Sequence, residues 1–223
     1  MPGPLALLGS GEFLPVMADL DRALLDGRPL RVVHLHTAAG LESPHRLTYW
    51  RELAAGHFRA LGVEVETLDV VDRATATIGA AERIAGAGGV FLSGGNPGHL
   101  VESLRGTAVW EAILTAWAGG AALAGCSAGA MAMSATLPHF RTGGGEALGL
   151  LDTISVIPHY DRFGKMMKPV VRLHDRSVTV VGIDENTAMY GGPEVWTVYG
   201  KGAVHVSRDH GIEVYRAGDR LQI

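Results

Sequence analysis

Cysteine is nearly absent: Cys126 is the single one in 223 residues. An internal disulfide framework is therefore excluded, and a lone thiol suits a reducing compartment, with the cytoplasm as the expected address. No apolar run is long enough to cross a bilayer. Charge is sparse too, at 19% of residues with a net of -4, so nothing in the composition offers a basic footprint to nucleic acid or an anionic membrane. No basic leader precedes the short apolar run Pro4 to Leu8, which is expected to be a first strand and not a signal peptide. Internal repeats and low-complexity linkers are missing, and the length fits one α/β domain, 1–223. His34 and His36 would share one face of a strand, but no third ligand lies near them in sequence, so neither a metal nor a cofactor is expected.

What the chain does have is 47% hydrophobic residues, set out as short buried runs alternating with helical segments. Strands are expected at Pro4 to Leu8, Leu30 to Leu35, Val63 to Val70, Gly89 to Leu92, Ala121 to Cys126, Ile154 to Ile157 and Val178 to Ile183. Helices are expected from Pro15 to Gly27, His45 to Leu61, Ile78 to Ala85, His99 to Arg105, Val109 to Trp117 and Ala128 to Ala135. Trp110 and Trp117 read as core residues. The tail after Met189 breaks at Gly191-Gly192-Pro193, Gly200-Lys201-Gly202, His210-Gly211 and Ala217-Gly218-Asp219, a pattern of antiparallel hairpins against one edge. Leu137 to Leu151, with Gly143-Gly144-Gly145 inside it, is the candidate for a flexible flap.

The chain is organised around Gly125-Cys126-Ser127-Ala128-Gly129, which fits the G-x-S-x-G elbow between an apolar strand and a helix. The turn lifts the Ser127 hydroxyl out of the backbone and leaves the Ala128 N–H free for an oxyanion, and glycines on both sides let two chain segments approach. A second glycine loop, Ser93 to Gly98, ends a neighbouring strand. It is either a tight turn before a helix or a source of backbone donors from Gly94 to Asn96 facing Ser127. A serine hydroxyl needs a base, and the base needs a third group to hold its tautomer. His159 at the mouth of one strand and Glu185 at the mouth of another fill those roles, with Asp184 competing directly for the second. Singly, each has a plainer reading as a backbone-bonded histidine or a surface carboxylate.

Gly94-Gly95-Asn96, Gly125 to Ala130, Ile157-Pro158-His159-Tyr160 and Gly182 to Ala188, in that order, resemble the serine peptidase family of aspartyl dipeptidase (dipeptidase E) and cyanophycinase. The resemblance runs from about Leu5 to the hairpins after Tyr190. It implies a class I glutamine amidotransferase-like, flavodoxin-like fold: a mostly parallel sheet with helices on both faces and antiparallel C-terminal hairpins. By matching motif it makes Ser127 the nucleophile, His159 the base and Glu185 its orienting acid, with an oxyanion hole from Ala128 and Gly95 or Asn96. Small peptides or isopeptides, aspartyl ones above all, are the implied substrates. A cation from Arg162, Lys165, Lys168 or Arg172 would then receive the substrate carboxylate, Arg162 and Arg172 being the two put forward. Pro97 departs from the polar residue that often follows the glycine loop. The oligomeric state is left open, a homodimer being one alternative.

Three rival readings remain. An esterase of the α/β-hydrolase type would use Ser127, Asp184 and then His205 or His210. An amidotransferase would need Cys126, one position off the elbow's centre. An inert binding module would keep the fold alone.

Overall fold

The computed structural model describes residues 1–137, 145–164, 178–192 and 194–223. Five strands, β1 (Leu5–Leu8), β2 (Arg31–Leu35), β3 (Glu64–Leu68), β4 (Gly89–Leu92) and β5 (Ala122–Cys126), run parallel in the order β1-β5-β4-β2-β3. Helices α1 (Ala18–Leu25), α2 (Pro44–Ala60), α3 (Ile78–Glu82), α4 (Pro97–Leu104), α5 (Ala108–Ala118) and α6 (Ala128–Met133) connect or follow them. Successive side chains on a strand point to opposite faces. Ala6 and Leu8 accordingly meet Leu20, Leu24 and Phe58 of α1 and α2, whereas Leu5 and Leu7 share a core with Leu104, Trp110, Ile113 and Met133 of α4, α5 and α6. Both faces of β1, β4 and β5 are covered, which is why those strands read as continuous apolar runs, whereas β3 at the sheet edge buries only Leu68. Trp110 is buried; Trp117 is half-buried, its indole N–H donating to the Gly3 carbonyl.

The short pair β6 (Thr136–Leu137) and β7 (Gly145–Glu146) leads to β8 (Ile154–Ile157), β9 (Thr179–Ile183), β10 (Thr187–Gly191), β11 (Val195–Gly200), β12 (Ala203–Arg208), β13 (Gly211–Arg216) and β14 (Arg220–Gln222). The expected hairpins do not all lie against one edge. β10, β11 and β14 extend the parallel sheet antiparallel beyond β1, making eight strands, while β12 and β13 join β9 and β8 in a separate four-stranded sheet. Ile154, Val156, Val181, Ile183, Val204 and Val206 turn that second sheet into the core beside α6. The chain changes sheets between Ile183 and Thr187, where Asn186 takes a φ of 53° and a Cβ on Gly9 would stand 2.2 Å from the Asp184 carbonyl oxygen. Of the expected flap, 138–144 falls outside the described residues; beyond it, Leu148 and Leu151 donate backbone hydrogen bonds to Ala132 and Met133 of α6.

His36 lies just past the end of β2, and its ring meets that of His34 edge-on with centroids 5.8 Å apart. Both His34 nitrogens are engaged, Nδ1 with the Thr67 hydroxyl at 3.0 Å and Nε2 with the Ser93 hydroxyl at 2.7 Å. Full burial, with His36 and Arg51 adding repulsion, pushes the His34 pKa down from 6.5 to about 3. The folded protein thus favours the neutral ring, so its stabilisation is complete above pH 6.5 and is lost as pH falls toward 3. One proton taken up only on unfolding costs about 1.4 kcal/mol per pH unit. Urea unfolding between pH 6.5 and 4.5 should show that slope reduced by about one proton in His34→Gln; identical slopes would refute the assignment.

Candidate active site

At the end of β5, Leu8 pairs with Cys126 and the Leu8 carbonyl accepts the Ser127 N–H at 2.9 Å. Ser127 then turns sharply, with φ 48° and ψ -105°, before α6 starts at Ala128. That conformation is costly for a residue with a side chain and persists only where the surroundings hold it. The surroundings here are two glycines in contact. A Cβ on Gly125 would lie 2.6 Å from the backbone of Gly129, and one on Gly129 would lie 2.2 Å from the Leu92 carbonyl of β4. Ala128 occupies the first turn of α6, where N–H groups have no preceding helical carbonyl.

His159 follows β8 with a φ of 50°, and its carbonyl accepts N–H bonds from Arg162 and Phe163, opening a turn of helix over 160–164. Its Nε2 lies 3.1 Å from the Ser127 hydroxyl oxygen, and its Nδ1 lies 3.0 Å from Glu185 Oε1. A carboxylate can only accept, so Nδ1 donates and the lone pair of a neutral ring is left on Nε2 for the serine proton. The second Glu185 oxygen pairs with Arg162 Nε at 3.1 Å, and the Glu185 N–H donates to Asp161 Oδ1 at 2.9 Å. Asp184 points elsewhere. Its two oxygens accept from His205 Nε2 at 3.0 Å and from the Ala203 N–H at 2.9 Å, so it is tied to β12. His210 bonds Glu213. The Ser-Asp-His order of the esterase reading is therefore not assembled; the histidine beside Ser127 is His159.

The remaining expected site residues fall as follows. The Asn96 N–H donates to the Ala38 carbonyl at 2.7 Å, and Asn96 Oδ1 accepts from His99 N at 3.0 Å, capping α4. The backbone N–H of Asn96 is thus committed to Ala38, and Pro97 occupies the first position of α4, where a missing donor costs nothing. The Gly95 N–H, by contrast, has no acceptor among the described residues. Arg162 Nε pairs with Glu185, and Arg162 does not line the cavity over Ser127. Arg172, Lys165, Lys168, Gly143, Gly144 and Pro193 lie outside the described residues.

Glu12 is the site residue that the sequence reading missed. It is 7% exposed, accepts the Gly94 N–H on Oε1 at 3.1 Å and accepts the Cys126 thiol on Oε2 at 2.7 Å. One carboxylate thereby ties the glycine loop to the elbow, the two segments that carry the Gly95 and Ala128 donors. Burial, and then the Glu12 charge, push the Cys126 thiol well above its usual pKa, which keeps it neutral and unsuited to attack. The available signal was position: Glu12 ends the glycine loop after β1, and β1 is the parallel neighbour of β5. Above these residues lies a cavity of about 280 Å³ that includes Glu12, Gly95, Ser127 and His159. A larger depression of about 950 Å³, beside α3 and α5, holds none of them.

A strained serine at a strand-to-helix turn, an imidazole on its hydroxyl and a carboxylate on that imidazole make up the arrangement that serine hydrolases share. The family model described as Peptidase family S51 matches residues 5–193; the chain belongs to that family and is a serine peptidase. A crystal structure of a peptidase from an acI-B1 Actinobacterium is similar over 100% of this chain and 98% of that one, at a TM-score of 0.92 and 32% identity. A candidate Peptidase E protein from Listeria monocytogenes EGD-e is similar over 98% of this chain and 100% of that one, with a TM-score of 0.65. At 21% identity that second likeness is one of fold. Among curated proteins, none matches the chain.

Proposed function

We propose that this peptidase hydrolyses small peptides or isopeptides through an acyl-enzyme on Ser127. His159 Nε2 takes the hydroxyl proton as Ser127 Oγ attacks the scissile carbonyl, and the Ala128 and Gly95 N–H groups receive the oxyanion. Collapse of the tetrahedral intermediate breaks the C–N bond while His159 returns the proton to the leaving amine. Water, deprotonated by the same ring, then releases the acid and restores Ser127. Glu185 holds the His159 tautomer, and Arg162 with the Asp161 cap holds Glu185. Ser127, His159 and water carry every proton and electron pair in this cycle. The observation that supports the reading best is the unbroken run of contacts from Ser127 through His159 to Glu185.

We assign this activity to one domain, 1–223, and on the strength of the lone buried Cys126 to the cytoplasm. Among the described residues no helix is long and apolar enough to cross a membrane. An acidic substrate preference would need a cation at the cavity, and neither Arg162 nor any other Arg or Lys lines it among the described residues.

A fluorophosphonate probe should modify Ser127, and a dipeptide library with α- and β-aspartyl members should contain substrates. Failure of both would sink the proposal. The hole has its own test. A Cβ on Gly95 would stand 2.4 Å from the Ala38 carbonyl oxygen, at a φ of 140° that side chains avoid. Gly95→Ala should therefore displace its N–H and lower kcat by about 10²–10³-fold with little change in KM; an unaltered kcat would show that Gly95 is not a donor.

A further inference from the structure

We infer that Tyr160 is a positioning residue of the catalytic set: its ring seats the turn that carries His159 and so fixes the imidazole between Ser127 and Glu185. The inference rests on the acyl-enzyme reading and adds a residue to that same site. It starts from His159, whose φ of 50° is strained for a residue with a side chain and persists only where the surroundings hold it. One glycine holds both flanks. Ile157, two residues before the histidine, is the β8 partner of Gly182 on β9, and the ring of Tyr160, one residue after it, lies against that same Gly182.

The seat is close-fitting. A Cβ on Gly182 would stand 2.3 Å from Tyr160 Cδ2 and 2.4 Å from Cγ, and at the far edge of the ring a Cβ on Gly164 would stand 2.8 Å from Cε1. Two missing side chains thus make room for one ring. Ile157, Gly182 and His205 are successive cross-strand partners on β8, β9 and β12 and share one face of the second sheet, so Gly182 leaves a gap between two side chains that Tyr160 fills. Ile157 and Val180 pack against it. The His205 ring stacks on it with centroids 4.6 Å apart and planes 35° apart, and Asp184 Oδ1 holds His205 Nε2 at 3.0 Å. Asp184 and His205, which the catalytic cycle leaves idle, thereby form the outer wall of the seat.

The seat also lies on the strand that leads to the acid. Gly182 and Glu185 are three residues apart at the end of β9, so the segment that anchors the turn of His159 also delivers a carboxylate to its Nδ1 at 3.0 Å. Two polar contacts close the same joint: Asp161 Oδ1 accepts the Glu185 N–H at 2.9 Å, and Arg162 Nε meets Glu185 Oε2 at 3.1 Å. These tie the acid to the turn, whereas the Tyr160 ring ties the turn to the sheet. The Arg162 side chain is 66% exposed, and an ion pair that wet holds little by itself. Loss of the ring should therefore loosen the 3.1 Å approach of His159 Nε2 to the Ser127 hydroxyl.

The test separates the ring from its hydroxyl and from the fold. Tyr160→Phe keeps everything the seat uses and should restore turnover close to that of the parent. Tyr160→Leu removes the ring and Gly182→Ala blocks its seat; each should lower kcat by about 10²-fold with KM little changed, the cost of moving a catalytic group by about 1 Å. Proton NMR supplies a second readout. The far-downfield signal of the His159 Nδ1 proton, shared with Glu185, should persist in Tyr160→Phe and broaden or vanish in the other two, with melting still cooperative in all three. Full kcat in Tyr160→Leu, an unmoved proton signal there, or equal losses in Tyr160→Phe and Tyr160→Leu would overturn the inference. So would loss of the folded state in Tyr160→Leu, because the ring would then be serving the core and not His159. A parent enzyme that neither cleaves a peptide nor takes a fluorophosphonate on Ser127 would instead remove the acyl-enzyme reading, and this inference with it.

Discussion

Ser127→Ala should reduce peptide hydrolysis by about 10⁴-fold or more in kcat, and His159→Ala should do about the same. A base without its nucleophile, or a nucleophile without its base, is of little use, so Ser127→Ala/His159→Ala should be scarcely worse than either single variant. The third member of the set allows a sharper separation. Glu185→Gln keeps the size of the side chain but can offer an amide N–H toward His159 Nδ1, stabilising the tautomer that leaves Nε2 protonated and unable to accept from Ser127. A fall of about 10²–10⁴-fold is expected there. Asp184→Asn, one residue away, should leave catalysis far less affected, since Asp184 bonds His205 and the Ala203 N–H and not the active-site ring. Steady-state kinetics on one cleaved dipeptide decide this. Equal losses in the two acid variants, or robust turnover by Ser127→Ala, would dissolve the proposed constellation.

Gly129→Val should be the most disruptive single change in the scaffold. Its Cβ would fall 2.2 Å from the Leu92 carbonyl oxygen and 3.0 Å from Leu92 Cβ, and the obstacle is largely backbone, which cannot rotate away. Overpacking a core typically costs 1–3 kcal/mol. Forcing β4 and α6 apart should reach the top of that range or pass it, about 3 kcal/mol, which for a chain of this size lowers Tm by roughly 6–12 °C. Activity should fall with stability, because the same displacement moves Ser127 and the Ala128 N–H. Gly56→Ala supplies the contrast. It lies within α2 with nothing inside 4 Å of the added Cβ, so helix propensity should raise stability by up to about 1 kcal/mol. Calorimetry on the two variants would expose an error in the elbow's packing if Gly129→Val melted like the parent.

Much of the active site could be read before any coordinates, and the reason is local. A serine that must adopt φ 48° between two touching segments needs glycine on both sides, and that need is written as five consecutive residues. Apolar runs covered on both faces likewise announce a parallel sheet, and their ends announce where loops converge. Choices between neighbours were not legible in this way. Asp184 and Glu185 sit side by side with the same chemistry, and Gly95 and Asn96 both offer an N–H at the same loop. Which one is free depends on a partner far along the chain, β12 in the first case and Ala38 in the second.

The sequence by itself determined the architecture, the elbow at Ser127 and the three strand mouths that carry hydroxyl, imidazole and carboxylate, because each follows from short-range sterics or from periodicity within one segment. Tertiary structure alone decided that β8 and β9 form a second sheet with β12, that Glu12 ties the elbow to the glycine loop, and that Arg162 braces Glu185. Those outcomes turn on hydrogen bonds and ion pairs formed after the chain has closed on itself, and a linear pattern carries no record of which donor meets which acceptor.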